Sequence, residues 1–160
     1  MRFIIAAVGR LKDGGERDLY ARYAERFDAQ GRAVSLGPLK LAELTESRAQ
    51  TSSLRKKDEA ERLLKACAGA DTRIVLHEGG KGMSSEAFAR WLAARRDGGC
   101  QTMACLIGGP DGHGDDVLST ATLQLSLGAM TMPHGIARVV LVEQLYRAAT
   151  ILAGHPYHRA

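Results

Sequence analysis

The stretch LSLGAMTMPHGIARVVLVEQLYRAATILAGHPYHR, residues 125–159, decides the fold because it joins a short apolar strand to a long helix through a glycine-bearing turn. The helix is predicted over residues 134–153. Its apolar side chains occupy nearly the whole circumference, and they are Ile136, Val139, Val140, Val142, Leu145, Ala149 and Leu152. Such a helix must be buried on more than one side. Since the sheet of a small domain covers only one side, a second subunit would cover the other, which predicts a homodimer.

Upstream of this stretch, short apolar runs alternate with segments of helical period. The runs predict strands at residues 3–8, 33–36, 73–77, 103–107 and 123–127. This alternation is typical of α/β domains whose parallel strands are covered on both faces. We therefore expect one domain over residues 1–160, with a mostly parallel five-stranded sheet and helices on both faces.

Three apolar helix faces lie between the strands and are expected in the core. They comprise Leu19, Tyr23 and Phe27, then Ala60, Leu63, Leu64 and Cys67, and then Phe88, Trp91 and Leu92. Ser84 or Ser85 is a suitable N-cap for the third helix, with Glu86 in its first turn. Residues 37–52 have no clear period and are interpreted as a surface connection.

Charge and cysteine content narrow the class of protein. The net charge of +4 is compatible with a polyanionic partner without specifying one. The three cysteines are odd in number and lack CxxC spacing, which argues against a disulfide framework and a zinc knuckle. No apolar run approaches the length of a membrane span, and the first is too short for a signal-peptide core. We expect a cytoplasmic protein with no membrane anchor.

Three glycine-bearing loops follow predicted strands: LHEGGKG at 76–82, IGGPDGHG at 107–114 and LGAMTMPH at 127–134. Ligands of open α/β sheets bind beyond the carboxyl ends of the strands, so we expect these loops to meet there. Glycine lets backbone N–H and C=O groups approach a ligand closely. The second loop has neither the Gly-Lys-Ser/Thr ending of a phosphate loop nor GxGxxG spacing, which disfavours phosphate or dinucleotide binding.

The runs LHEGGKGMSSEAFA (76–89), IGGPDGHG and the C-terminal stretch resemble the RlmH family, and the opening AVGRLKDGGERDLYARYAERF (7–27) is also similar. Members are minimal SPOUT enzymes that methylate N3 of a pseudouridine in 23S ribosomal RNA. The resemblance implies an α/β domain with a C-terminal trefoil knot, a homodimer acting on the ribosome, and S-adenosylmethionine as cofactor.

The resemblance also implies which residues bind the cofactor: Leu76, Gly108, Leu127, Gly128, Ala129, Met130, Thr131 and Met132. The family commonly has Ser-Lys or Ser-Ala where this chain has Gly128-Ala129. Backbone contacts should survive that difference, whereas a side-chain contact at either position should not.

Methylation of an imide nitrogen requires that its proton be accepted, or that its anion be stabilised by a cation. The resemblance points to the tail, with Tyr157 stacking on the target base, His158 accepting the proton and Arg159 binding substrate. On the last helix, Arg138 is a candidate catalytic residue. If it is buried it needs a partner, which an RNA phosphate or a carboxylate of a second subunit could provide. The remaining candidates there are His134 and Arg147 for substrate binding, and Glu143, which alternatively forms a helix pair with Arg147.

The spacing of His155 and His158 suits a metal, but no further Cys or His ligands lie nearby in sequence, so we expect no metal site. Two alternatives to an enzyme remain. One is a non-catalytic ribosome-binding or assembly factor that keeps the fold and the basic surface. The other, a small nucleotide-binding α/β module, is disfavoured by the missing phosphate loop.

Overall fold

The computed structural model describes residues 1–157. Its strands are β1 (Arg2–Val8), β2 (Leu39–Leu44), β3 (Thr72–Gly82), β4 (Thr102–Ile107) and β5 (Leu123–Ser126). Its helices are α1 (Gly15–Gly31), α2 (Ser52–Ala66), α3 (Ser85–Asp97), α4 (Asp115–Leu118) and α5 (His134–Leu152). The strand order is β2-β1-β4-β3-β5, and every pairing is parallel. The predicted α/β class and five-stranded sheet are confirmed.

Alternating side chains of the sheet build two cores. Phe3, Ile5, Met103 and Cys105 belong to a cluster with buried residues of α1, α3 and α5, whereas Val8, Val75 and Leu106 pack with those of α2. Helices therefore cover both faces, as predicted. No helix in the described part of the chain is long and apolar enough to cross a membrane.

The second predicted strand was wrong. Residues Arg32–Val34 form a 3-10 turn, and β2 lies later, within the segment interpreted as a surface connection. β2 is an edge strand that pairs only with β1, and its side chains are half-buried or exposed. An edge strand of this kind needs neither a continuous apolar run nor strict alternation. Its polar residues therefore gave no pattern that predicts a strand.

The predicted helix faces are largely confirmed. Ala60, Leu63, Cys67, Phe88 and Leu92 are buried, and the Ser84 side chain caps α3 by accepting from the Ala87 N–H at 3.2 Å. The predicted face of α1 is confirmed only in part. Leu19 is 40% exposed, while Tyr20 and Phe27 enter the core.

The surroundings of α5 correct the argument for a second subunit. The helix packs between α1 and α3 over β4, so neighbouring helices cover flanks that the sheet does not reach. Leu141, Val142, Leu145 and Ala149 are buried in this way within one chain, although Ile136 remains 39% exposed. The homodimer stays a prediction, because apolar coverage of α5 does not by itself require a partner.

Candidate active site

The three glycine-bearing loops meet around one cavity of about 640 Å³ at the carboxyl ends of β3, β4 and β5. The first loop contributes Leu76, His77 and Glu78, and the second contributes residues 107–113. The third contributes residue 127, Gly128 and residues 130–134. The predicted convergence of the loops is therefore confirmed.

A bulge in β3 places the first loop at the cavity. Leu76 and Lys81 both pair with Leu125 of β5, so residues 77–80 leave the ladder and project from it. A Cβ at Gly80 would lie 2.8 Å from the carbonyl carbon of Gln124, which explains why glycine occupies the return to the strand.

The second loop is anchored from outside the cavity by α2. Arg55 Nε donates to Asp111 Oδ2 at 2.6 Å, and Nη2 donates to Oδ1 at 3.0 Å. This hydrogen-bonded guanidinium lowers the pKa of the Asp111 carboxyl, so the two-pronged ion pair persists over the neutral range. Gly112 closes the turn with φ +75° and donates to the Gly109 carbonyl at 2.9 Å. The loop is thus held in one shape before any ligand binds.

The third loop turns at Gly128, whose φ of +142° is rarely adopted by other residues. Its N–H donates to Ser126 Oγ at 3.2 Å, and that hydroxyl donates to the Gly128 carbonyl at 3.0 Å. Of the predicted cofactor-binding set, seven residues line the cavity and Ala129 does not. The seven are Leu76, Gly108, Leu127, Gly128, Met130, Thr131 and Met132.

The candidates on α5 and in the tail fall into different places. His134 lines the cavity. Tyr157, Glu143 and Arg147 form a cluster further along α5: the Tyr157 hydroxyl donates to Glu143 Oε1 at 3.1 Å, and Arg147 Nη2 donates to the same oxygen at 2.8 Å. The Glu143–Arg147 helix pair is therefore present. His158 and Arg159 lie outside the described residues.

Arg138 has a different partner from the one expected. Its side chain is 0% exposed, and Nη1 donates to Glu43 Oε1 of the same chain at 2.6 Å. Nη2 donates to the Gly9 carbonyl at 2.9 Å. Arg138 is buried and paired as expected, but neither an RNA phosphate nor a second subunit is needed, because β2 supplies the carboxylate.

Two histidines of the cavity wall lie in the predicted loops but were not predicted as site residues. His77 Nδ1 and His113 Nε2 are buried ring nitrogens without a hydrogen-bond partner among the described residues. Burial lowers the pKa of His113 to about 4, against a weaker opposing effect from its hydrogen bond to the Leu106 carbonyl. At neutral pH His113 is therefore uncharged. His113 lies between two glycines, and such a sequence has no pattern that distinguishes a site histidine from a turn residue.

The low pKa of His113 predicts acid-sensitive stability. The unfolded chain binds a proton near pH 6.5 and the folded chain only near pH 4, so stability is full above pH 6.5 and is lost as the pH falls toward 4. The loss should be about 3 kcal/mol. Chemical denaturation of wild type and His113→Gln at fixed protein concentration isolates this contribution. The difference between the two free energies of unfolding should shrink over that window, and a constant difference would contradict the assignment.

Within residues 1–157, no cluster of three His, Cys, Asp or Glu side chains is arranged to hold a metal ion. The cavity instead combines glycine backbone, apolar side chains and unpaired imidazole nitrogens. Such a wall suits a small organic ligand with hydrogen-bonding groups. Fold and cavity together define an α/β protein with a small-molecule site at the carboxyl edge of a parallel sheet.

Comparison with known proteins identifies the family. A family model described as "Predicted SPOUT methyltransferase" matches residues 1–158. A protein of Brucella anthropi named ribosomal RNA large subunit methyltransferase H is 49% identical over 160 residues, with all of both chains covered. One of the same name from Xanthobacter autotrophicus is 48% identical over 160 residues, with the same coverage. The chain belongs to the SPOUT methyltransferase family.

A solved structure described as "a probable methylase family protein" from Haemophilus influenzae Rd KW20 shares the fold. Its TM-score is 0.51 at 11% identity, and the match covers 99% of this chain and 70% of that one. The trefoil knot implied by the family remains a prediction for this chain.

Proposed function

We propose that this protein methylates N3 of a pseudouridine in 23S ribosomal RNA with S-adenosylmethionine, acting on the ribosome as a homodimer in the cytoplasm. The convergence of three glycine-bearing loops on one cavity carries the proposal. Full-length relatives with an rRNA methyltransferase name support the substrate class. The position of the methylated atom rests on the resemblance described above.

The cavity fits the cofactor in size and chemistry. Its volume of about 640 Å³ lies within the usual range for sites that bind organic cofactors. The buried nitrogens of His77 and His113 lack partners among the described residues, as expected of groups that a polar ligand would satisfy. Leu76, Gly108, Leu127, Gly128 and residues 130–132 would hold S-adenosylmethionine, whereas Ala129 lies outside the cavity wall. When bound, it supplies an electrophilic methyl group.

The protein's own residues chiefly orient and desolvate the reactants, since alignment provides much of the rate enhancement in a methyl transfer. The substrate nitrogen carries a proton at neutral pH. If its pKa lies about two units above the working pH, removing that proton costs about 2.7 kcal/mol. A residue that accepts the proton at the cavity offsets this cost.

The place of the tail supports the homodimer. Tyr157 packs on Tyr146 with ring centroids 4.6 Å apart, and Arg147 lies over its ring at 5.0 Å. Ala137 of the same helix lines the cavity. At 1.5 Å per residue Arg147 lies about 15 Å further along, so the cluster around Tyr157 is distant from the cavity of its own chain. We propose that the tail, with Tyr157, His158 and Arg159, closes the cavity of the other protomer.

Within this arrangement Tyr157 is a stacking residue. Burial, together with hydrogen bonds to Tyr23 and Glu143, raises the pKa of its hydroxyl, so it stays protonated. We assign Arg147 to substrate binding beside it. Arg138 is assigned a positioning role, because its buried guanidinium holds the Gly9 turn rather than reaching the cavity.

Two measurements test the proposed function. Isothermal titration should show S-adenosylmethionine binding to the purified protein, and no binding at millimolar cofactor would contradict the site. Incubation with tritiated cofactor and ribosomes that lack the modification should place label in 23S RNA. Ribosome binding without transfer of label would instead favour a non-catalytic assembly factor.

Removing residues 157–160 is expected to spare cofactor binding and to reduce single-turnover methylation of ribosomes by at least about tenfold. The cavity and its three loops remain intact, while the aromatic ring and the charges that follow it are lost. The titration measures the first effect and label transfer the second. Full activity after truncation would show that the tail is dispensable. Replacing only Ala160 with glycine provides a control that keeps Tyr157.

A further inference from the structure

Three histidines line the cavity within residues 1–157, and their surroundings differ. His113 is 9% exposed and stays neutral, because burial lowers its pKa to about 4. It is therefore too weak a base to hold a proton at neutral pH. His77 has a buried nitrogen without a hydrogen-bond partner among the described residues and lies beside His113. His134 alone of the three has a carboxylate within 4 Å in the described chain.

The His134 side chain is 33% exposed and lies at the start of α5, where the third loop ends. Its Nε2 is 3.9 Å from Glu46 Oε1, which belongs to the connection between β2 and α2. In an enzyme without its substrates, catalytic hydrogen bonds are commonly longer than in the loaded complex. A carboxylate beside Nε2 favours the proton on that nitrogen and leaves Nδ1 as the acceptor.

Gly9 makes room for this imidazole. A Cβ at Gly9 would lie 2.7 Å from His134 Nε2, and the residue has φ +87°, so any side chain there would displace the ring. Arg138 fixes the turn at Gly9 by donating to the Gly9 carbonyl. Glu43 pairs with Arg138 and also accepts from the Leu11 N–H at 2.8 Å. This hydrogen-bonded network thus fixes the turn against which the His134 ring packs.

We propose that His134, rather than the tail residue His158 to which the family resemblance pointed, is the proton acceptor of the reaction and that Glu46 is its positioning residue. The proton moves from the imide nitrogen of the substrate to Nδ1 of His134, and the nitrogen keeps the electron pair with which it then attacks. Glu46 orients the ring through Nε2 and stabilises the imidazolium that forms. This inference rests on the proposed function and assigns its proton step to residues of one chain.

The charged groups around His134 come from three elements. Glu46 faces it from the β2–α2 connection, and the Glu16 carboxylate of α1 lies over the neighbouring Gly135. Arg138 lies one turn later on α5, paired with Glu43. Two carboxylates therefore lie near the histidine at the start of the helix. The positive charge of Arg138 is already paired with Glu43.

Single-turnover methylation of ribosomes at saturating cofactor, measured from pH 5.5 to 9, tests the assignment. His134→Gln should lower the rate by at least about 100-fold at neutral pH. Glu46→Gln should lower it by about tenfold, because the ring loses the carboxylate that orients it, and should reduce the share of the Nε2–H tautomer of His134. Glu61→Gln makes the same charge change on the exposed surface of α2 and should follow wild type.

A readout independent of activity is the tautomer of His134, observed by long-range ¹H–¹⁵N spectra of the wild-type protein. The Nε2–H form is expected, and a dominant Nδ1–H form would overturn the proposal. So would a His134→Gln rate within threefold of wild type, or a Glu46→Gln variant that keeps the wild-type tautomer of His134. If wild type neither binds cofactor nor methylates ribosomes, it is the proposed function that fails.

Discussion

Replacing Gly108 with valine is expected to weaken S-adenosylmethionine binding by more than about 100-fold, equivalent to about 2.7 kcal/mol. Gly108 lines the cavity between β4 and the turn of the second loop. An added Cβ would lie 3.1 Å from the backbone carbon of Gly112 and 3.3 Å from His113 Cε1. A branched side chain must therefore displace the loop or enter the cavity, and either outcome removes the surface that the ligand contacts.

A control in the same loop separates lost space from general damage. A Cβ at Gly114 would make only an ordinary contact with the Lys56 side chain at 3.6 Å, and Gly114 has φ −89°. Gly114→Ala should therefore bind cofactor within a few-fold of wild type by isothermal titration. Unchanged affinity in Gly108→Val, with the fold intact by circular dichroism, would refute the placement of the cofactor.

Replacing Arg138 with methionine is expected to lower the free energy of unfolding by about 3–5 kcal/mol. The change removes a fully buried cation and leaves Glu43 without its charged partner, while the carbonyl of Gly9 loses its donor. Chemical denaturation at fixed protein concentration measures the effect. The double variant Arg138→Met/Glu43→Gln should lose less than the sum of the single changes, because the two side chains form one pair.

Arg147→Met is the matched control on the same helix. Its pair with Glu143 is partly exposed, so the loss should be about 1 kcal/mol. Equal losses for the two arginine variants would contradict the view that Arg138 is a structural cross-link. Additivity of Arg138→Met and Glu43→Gln would likewise show that the pair contributes no coupling.

The sequence predicts the centre of this fold better than its edge. β1 and β4 lie in the middle of the sheet, are covered on both faces and therefore appear as continuous apolar runs. β2 lies at the edge and carries Glu43, whose charge is required by Arg138 across 95 positions of sequence. A polar residue with so distant a partner has no local pattern that would reveal its strand.

The candidate site was predictable where local sequence dictates it. Glycine-bearing loops after successive strands indicate a shared edge, and the cavity bears this out. The bulge at residues 77–80, the unpaired nitrogen of His113 and the approach of Glu46 to His134 were not predictable, because each depends on the register or packing of separate elements.

The most direct test of the central claim is a crystal structure of the protein with S-adenosylmethionine bound. We expect the ligand between the three loops, in contact with Leu76, Gly108 and Leu127. A ligand bound elsewhere, or a cavity closed by the protein's own side chains in the presence of saturating cofactor, would contradict the account.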